Sequence, residues 1–247
     1  MTKIFKQLAR HWAACLAVAA LLIVQAYCDL SLPDYTSKIV DVGIQQGGIE
    51  SSVPYTVRDT TLQALELLMT EDEAALADQW YSGPDADGLR YLSKDADTAA
   101  AELESAFTTP DVVLYMAAAQ NAARVAGSTE TVTPTIYDLD AVSQQFAAMA
   151  QAPGAREMLQ NQLAGALSQL DGTVADNLAS QAVLLVSLEY EAQGIAHDVQ
   201  IAYLLRIGGQ MLGLTLLMVA AAVAVGFIAS RVSAAIGRDL RRKVFST

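Results

Sequence analysis

Residues 207–230 read IGGQMLGLTLLMVAAAVAVGFIAS, and residues 11–28 read HWAACLAVAALLIVQAYC. Neither run contains an acidic residue, a lysine or an arginine. Each run is close to the roughly 20 residues that an α-helix needs to cross the hydrocarbon core of a bilayer. The first run is longer than the apolar part of a typical signal peptide, and Asp29 follows it where a cleavage site would need small residues. We therefore predict that both runs are retained membrane spans.

The charges of the chain are strongly segregated. The chain has 15 basic and 27 acidic residues, a formal charge of -12. Residues 41–200 hold 24 of the acidic and five of the basic residues, a net charge of -19. Lysines and arginines instead precede the first run and follow the second, so the positive-inside rule predicts that both ends are cytoplasmic. Residues 41–200 are then extracytoplasmic, and their acidity argues against nucleic acid as a partner.

These patterns predict an all-α protein, a transmembrane helical hairpin with a helical extracytoplasmic domain inserted between its two spans. The middle of the chain is rich in Ala, Leu and Gln, which favour helices, and has no cysteine. The predicted segments are an interfacial elbow helix (1–11), transmembrane helix 1 (12–40), the acidic helical domain (41–200), transmembrane helix 2 (201–230) and the start of a cytoplasmic extension (231–247).

Local signals predict several helix boundaries in the acidic domain. A helix is expected over 57–69, and Thr70 and Glu73 form a capping box at the start of the next one. Thr109 and the proline after it predict another helix start, and Gly127 predicts the end of that helix. Because no proline follows residue 153, one helix is expected to run from about Val174 straight into the second span.

The sequence predicts no catalytic, cofactor-binding or metal-binding residue in this chain. The motifs GxSxG, HExxH and GxxxxGK[ST] are absent. Cys15 and Cys28 would be about 20 Å apart on one helix, too far for a disulfide. The carboxylates of the acidic domain are expected to lie on solvated helix faces. Asp29 and Arg206, near the outer membrane edge, are candidate pathway charges, with a position among lipid headgroups as the alternative.

Both ends of the chain also carry stretches that are typical of one transporter family. In the first stretch the residues are Asp29, Leu30, Leu32, Pro33, Tyr35, Ile39, Val40, Asp41, Gly43 and Ile44. In the second they are Ala229, Ser230, Val232, Ile236, Gly237, Asp239, Leu240, Arg241, Val244 and Phe245. In this order the two stretches resemble the first two spans of ATP-binding cassette (ABC) exporter subunits. The acidic insertion resembles that of a subset of these exporters in anaerobic Gram-positive bacteria.

The resemblance implies a multi-pass protein of a bacterial plasma membrane, an N-terminal fragment of an exporter subunit. Such a subunit couples ATP hydrolysis to export, using ATP and Mg²⁺ in a nucleotide-binding domain that has no counterpart in these residues. Its implied partners are the lipid bilayer, the rest of the transporter, a second half-transporter, and an unknown external substrate or partner. The alternatives are a sensor or chemoreceptor input module with a ligand-binding outer domain, and a membrane-anchored binding domain.

Overall fold

The computed structural model describes residues 12–127, 132–150, 152, 154–167 and 172–244. These residues belong to two compact units. One unit is 42–203, and the described part of the other comprises 12–41 and 204–244. The predicted elbow helix at 1–11 lies outside the described residues. The described chain is mostly helical, as the sequence predicts.

Two of the helices are long and apolar enough to cross a membrane. Helix α1 spans Trp12–Lys38 and continues as a π-helical segment, Ile39–Gln45. The last helix of the chain, α8, spans Ala196–Val244. In the most apolar window of each, only 6% of the residues are buried. The core helix of a soluble protein would be mostly buried, so these apolar surfaces need lipid or another protein to cover them.

The unit formed by 42–203 is a helical domain with a small antiparallel ribbon. Its strands are β1 (Thr56–Arg58) and β2 (Leu89–Tyr91), in which Val57 is paired with Arg90. A 3₁₀-helix spans Lys94–Ala99. The α-helices are α2 (Asp59–Leu68), α3 (Glu71–Trp80), α4 (Ala100–Ala126), α5 (Ile136–Ala150), α6 (Ala155–Leu167) and α7 (Gly172–Ala192).

The core of this domain lies where α2, α4, α5 and α7 pack together. Helix α4 contributes a buried stripe at helical spacing, with Leu103, Phe107, Leu114 and Ala118 among its members. Leucines of α2, α5 and α7 pack against this stripe, and several of these leucines are fully buried. Burial of such side chains supplies about 1.5–3 kcal/mol each, which is why this amphipathic packing holds the helices in place.

Three predicted helix boundaries are wrong. Val57 lies in strand β1, because pairing with β2 buries it completely. Helix α4 does not start near Thr109 but continues through Pro110, which is itself buried in the core. That burial offsets the roughly 3 kcal/mol that a proline costs inside a helix. The helix after Val174 also does not continue into the second apolar helix, since α7 ends at Ala192.

The end of α7 is a left-handed glycine cap. Gly194 has a φ of 72°, and its N–H donates to the carbonyl of Glu191. The next N–H, of Ile195, donates to the carbonyl of Tyr190. This pair of bonds is the Schellman arrangement, which satisfies the last carbonyls of a helix and turns the chain away. Helix α8 therefore starts as a separate element, and it is continuous through Gly208.

Two other boundary predictions are confirmed. Thr70 accepts a hydrogen bond from the backbone of Glu73, while the Glu73 carboxylate accepts one from the backbone N–H of Thr70, which is the predicted capping box. Gly127, with a φ of 64°, ends α4 as predicted. Both signals are local to a few residues, so no distant contact can override them easily.

Candidate functional site

The two candidate pathway charges lie on the two long apolar helices. Asp29 is on α1 and Arg206 is on α8, and both side chains are exposed. Among the described residues neither one forms an ion pair within 4.0 Å. The structure therefore does not bring these two charges together, and their role in a pathway stays a prediction.

A fully buried carboxylate, Glu189 of α7, holds the helix to the ribbon. It is 1% exposed. Its Oε1 accepts from the backbone N–H of Arg58 at 2.8 Å, from Arg58 Nε at 2.9 Å and from Gln193 Nε2 at 3.0 Å. Its Oε2 accepts from Arg58 Nη2 and Thr61 Oγ1, both at 2.9 Å. Five donors thus satisfy one carboxylate, the condition under which a buried charge is tolerated.

Arg58 completes this cluster with a second carboxylate. Its Nη1 forms a hydrogen-bonded ion pair with Asp140 of α5. Burial by itself would lower the pKa of Arg58, but the hydrogen bonds and charges of Glu189 and Asp140 outweigh it and raise that pKa. The guanidinium consequently stays charged and ties β1, α5 and α7 together. This role is structural, because every polar atom of the Glu189 carboxylate already has a protein donor.

A second guanidinium, Arg90 on β2, organises another set of carboxylates. Its Nε donates to Asp59 at 2.6 Å and its Nη1 donates to Asp78 at 3.1 Å. The same Nη1 lies 4.0 Å from Oε1 of Glu66, which is within ion-pair distance but too far for a hydrogen bond. Glu66 therefore gains charge compensation from Arg90 without gaining a donor.

Glu66 is a carboxylate whose surroundings leave one of its oxygens without a hydrogen bond among the described residues. Its Oε1 is buried and has no hydrogen-bond partner among the described residues. Burial raises the pKa of Glu66 to about 7, and the negative charges of Asp78 and Asp59 add to this effect. Arg90 and Arg156 act in the opposite direction and do not cancel it. Glu66 also lines a cleft of about 680 Å³ between α2 and the start of α6. Carboxylates with such a raised pKa in a cleft are concentrated at functional sites.

Asp111 of α4 is buried even more deeply. It is 0% exposed, and neither carboxylate oxygen has a hydrogen-bond partner among the residues that the structure describes. Burial raises the pKa of Asp111 well above its usual range. Burial thus favours the protonated, neutral form of Asp111, because an unpaired buried charge is unfavourable.

The expectation that the carboxylates of this domain are solvated is wrong for Asp111 and Glu189, and for Glu66 in part. Glu189 carries a signal in the sequence, since it is the one charge between Ala182 and Tyr190, a stretch that is otherwise apolar or serine. Asp111 follows a proline, and this order is typical of an acidic residue in the exposed first turn of a helix, so the sequence does not indicate its burial. No local signal marks Glu66, because its cleft is completed by residues of 147–160, which lie more than 80 positions further along the chain.

No protein family, curated protein or solved structure matches this chain. Within residues 12–127, 132–150, 154–167 and 172–244, no group of three His, Cys, Asp or Glu side chains is arranged to hold a metal ion. The functional interpretation of the chain therefore depends on its own helices, charges and cleft.

Proposed function

We propose that the chain supplies the first two membrane helices and a large extracytoplasmic domain of an ABC exporter subunit in a bacterial plasma membrane. The observation that carries this proposal is the length of α8. At about 1.5 Å per residue its 49 residues extend for about 70 Å, whereas the hydrocarbon core is about 30 Å thick. A helix of this length continues well beyond the bilayer.

The basic part of α8 supports the same proposal. The helix includes Arg231, Arg238 and Arg241 and remains helical to Val244. A basic helical continuation of the second span is what the resemblance to exporter subunits implies. The apolar surfaces of α1 and α8 would be covered by lipid, by further spans and by a second half-transporter.

The chain has no step of ATP hydrolysis of its own in this proposal. It contains no GxxxxGK[ST] stretch and therefore lacks the phosphate-binding loop through which such subunits hold ATP and Mg²⁺. ATP would bind in a nucleotide-binding domain outside these residues. The contribution of this chain is part of the membrane pathway, where Asp29 and Arg206 remain candidate charges, and the external domain.

A second candidate function is a sensor input module, and the cleft beside Glu66 favours it. A helical outer domain with a polar cleft is suited to binding a ligand and passing a change to the membrane helices. The exporter has more support because the residues at 29–44 and 229–245 resemble exporter subunits specifically, whereas the cleft supports the sensor only by offering space for a ligand.

The class of protein can be tested in membranes of the source cells. An antibody against residues 42–203 would isolate the native polypeptide, which would then be irradiated with 8-azido-ATP and Mg²⁺ and analysed by mass spectrometry. We expect ATP-dependent labelling and peptides from additional spans and a nucleotide-binding domain. Peptides from a kinase or receptor signalling domain would instead establish the sensor, and an unlabelled polypeptide without ATP-binding peptides would refute the exporter.

The topology can be tested separately with single cysteines in a background that lacks Cys15 and Cys28. Lys94→Cys lies in the external domain and Arg238→Cys on the extension of α8, and both positions are exposed. A membrane-impermeant maleimide should label the first variant in intact cells and the second only after permeabilisation. Equal labelling of both in intact cells would contradict the hairpin topology.

A further inference from the structure

The first long apolar helix ends in a π-helical segment, Ile39–Gln45. In such a segment each backbone N–H donates to a carbonyl five residues back, whereas in an α-helix it donates four residues back. The bond that closes the segment is wider still, because the N–H of Gly48 donates to the carbonyl of Val42, six residues back, at 2.8 Å. The widest bond of an ordinary helix cap spans five residues. The end of α1 therefore holds one residue more than an α-helix on the same path.

The residues that follow this segment are fixed against α8. A Cβ at Gly48 would lie 2.9 Å from Cα of Gln200 and 2.9 Å from Cβ of Tyr203, so the backbone there touches α8 directly. The hydroxyl of Tyr203 donates to Glu50 at 3.3 Å, and Ile49 is buried in a cluster with residues of α7. All of these residues belong to one compact unit. The extra residue consequently cannot be absorbed further along the chain and stays in the π-helical segment.

One side chain of α8 holds the π-helical form. Gln200 Nε2 donates to the carbonyl of Gly43 at 2.9 Å. The backbone N–H that lies five residues after Gly43 is that of Gly48, and it donates to Val42 instead. Gln200 thus supplies Gly43 with a donor that the π-helical pattern would otherwise leave it without. In an α-helix the N–H of Gly47 would take this place, because it lies four residues after Gly43.

From this arrangement we propose that Ile39–Gln45 is a register switch, in which the π-helical form held by Gln200 converts to an α-helical form that lacks the Gln200 bond. π-helical turns are rare and are frequently found at functional sites, whereas the α-helical pattern is the regular one for the same residues. The conversion releases the extra residue. One residue of an α-helix corresponds to a rotation of about 100° and a rise of about 1.5 Å, so α1 turns about its own axis by about that angle.

The switch links the packing around Gln200 to the rotation of the first apolar helix. Anything that moves the first turns of α8 away from residues 43–48 weakens the π-helical form and favours the α-helical one. A net hydrogen bond of this kind changes an equilibrium constant by roughly fivefold. This device does not depend on whether the chain belongs to an exporter or to a sensor.

The proposal is tested by nuclear magnetic resonance on the full chain in lipid nanodiscs, with isotope-labelled methyl groups on Ile, Val and Leu. Relaxation-dispersion and saturation-transfer measurements detect a minor form that exchanges with the major one. We expect a minor form at the methyl groups of Ile39, Val42 and Ile44, populated at about 0.1–10%. The methyl groups of Leu62, which is fully buried in the domain core, should show none. No minor form at the three methyl-bearing residues of the segment would overturn the proposal.

A substitution of Gln200 tests which contact selects the form. Gln200→Ala should raise the ratio of the minor to the major form roughly fivefold, because it removes the bond to Gly43. The matched control is Gln63→Ala, which removes a side-chain hydrogen bond to Asp59 on α2 and should leave the ratio unchanged. An unchanged ratio in Gln200→Ala, or an equal increase in both variants, would contradict the role of Gln200.

A deletion tests the extra residue itself. Val40 is 42% exposed, and its deletion leaves the segment with the number of residues that an α-helix needs. We expect the deletion variant to show one form at Ile39, Val42 and Ile44 and to keep the domain folded, as followed by circular dichroism. A persistent minor form in this variant, or unfolding of the domain, would overturn the proposal, because the α-helical register would then be incompatible with the fold.

Discussion

Replacing Glu189 by glutamine should make the helical domain formed by 42–203 unfold at a clearly lower temperature. The carboxylate receives five hydrogen bonds at 2.8–3.0 Å, three of them from Arg58. Glutamine keeps one acceptor oxygen, removes the negative charge and places an NH₂ group against two donors. The side chain of Arg58 is 21% exposed and would retain, among the described residues, only Asp140 as an ion-pair partner.

The loss of stability in Glu189→Gln can be estimated from the burial of the ion pair between Glu189 and Arg58. Removing one partner of a buried ion pair costs about 3–5 kcal/mol. The remaining contact with Asp140, which is 40% exposed, places Glu189→Gln near the lower end, at about 3 kcal/mol. For a domain of this size, 1 kcal/mol shifts the melting temperature by about 2–4 °C, so the expected loss is roughly 6–12 °C.

Thermal unfolding of the full chain in detergent, followed by far-ultraviolet circular dichroism, measures this shift. Asp78→Asn is the matched control, because Asp78 also accepts from an arginine but is 62% exposed, and such a surface pair is worth about 0–1 kcal/mol. A melting temperature for Glu189→Gln within the range of this control would refute the reasoning, because Glu189 would then contribute no more than a solvated ion pair.

Three further perturbations have defined outcomes. Burial raises the pKa of Asp111 well above its usual range, so the folded protein holds a proton at pH values at which the unfolded chain releases it. The stability of wild type should therefore fall relative to that of Asp111→Asn as the pH rises above the unfolded pKa of about 4, and a stability difference in urea unfolding that stays constant with pH would exclude this. Gly48→Ala should lower the free energy of unfolding by about 2–3 kcal/mol in thermal unfolding, because the φ of residue 48 is 81° and the added Cβ would lie 2.9 Å from two atoms of α8. The control is Gly83→Ala, which should cost little because the added Cβ would have no atom within 4 Å. Thr70→Ala should lower the free energy of unfolding by about 1 kcal/mol through loss of the hydrogen bond to Glu73, and an unchanged urea midpoint would contradict that role.

The accuracy of the sequence predictions depends on how local each signal is. The two apolar helices and the capping box at Thr70 were predictable, because their causes lie within one turn or one continuous run. The helix start at Thr109 was a sound local inference that failed, since burial of the neighbouring face of α4 outweighs the cost of Pro110. The break at Gly194 was missed because a single glycine among helix formers is a weak signal until its carbonyl partners are known.

Composition and periodicity alone determined that this chain is mostly helical, carries its negative charge in the middle and has two helices fit for a membrane. These properties depend on residue type and spacing, which a sequence displays directly. Only the tertiary structure decided which carboxylates are solvated. Glu189 found its donors on β1 and α2, Asp111 was enclosed in the core, and Glu66 was placed at a cleft with Arg156. Burial and partners come from segments far apart in the chain, and they set the charge state and the chemistry of each group.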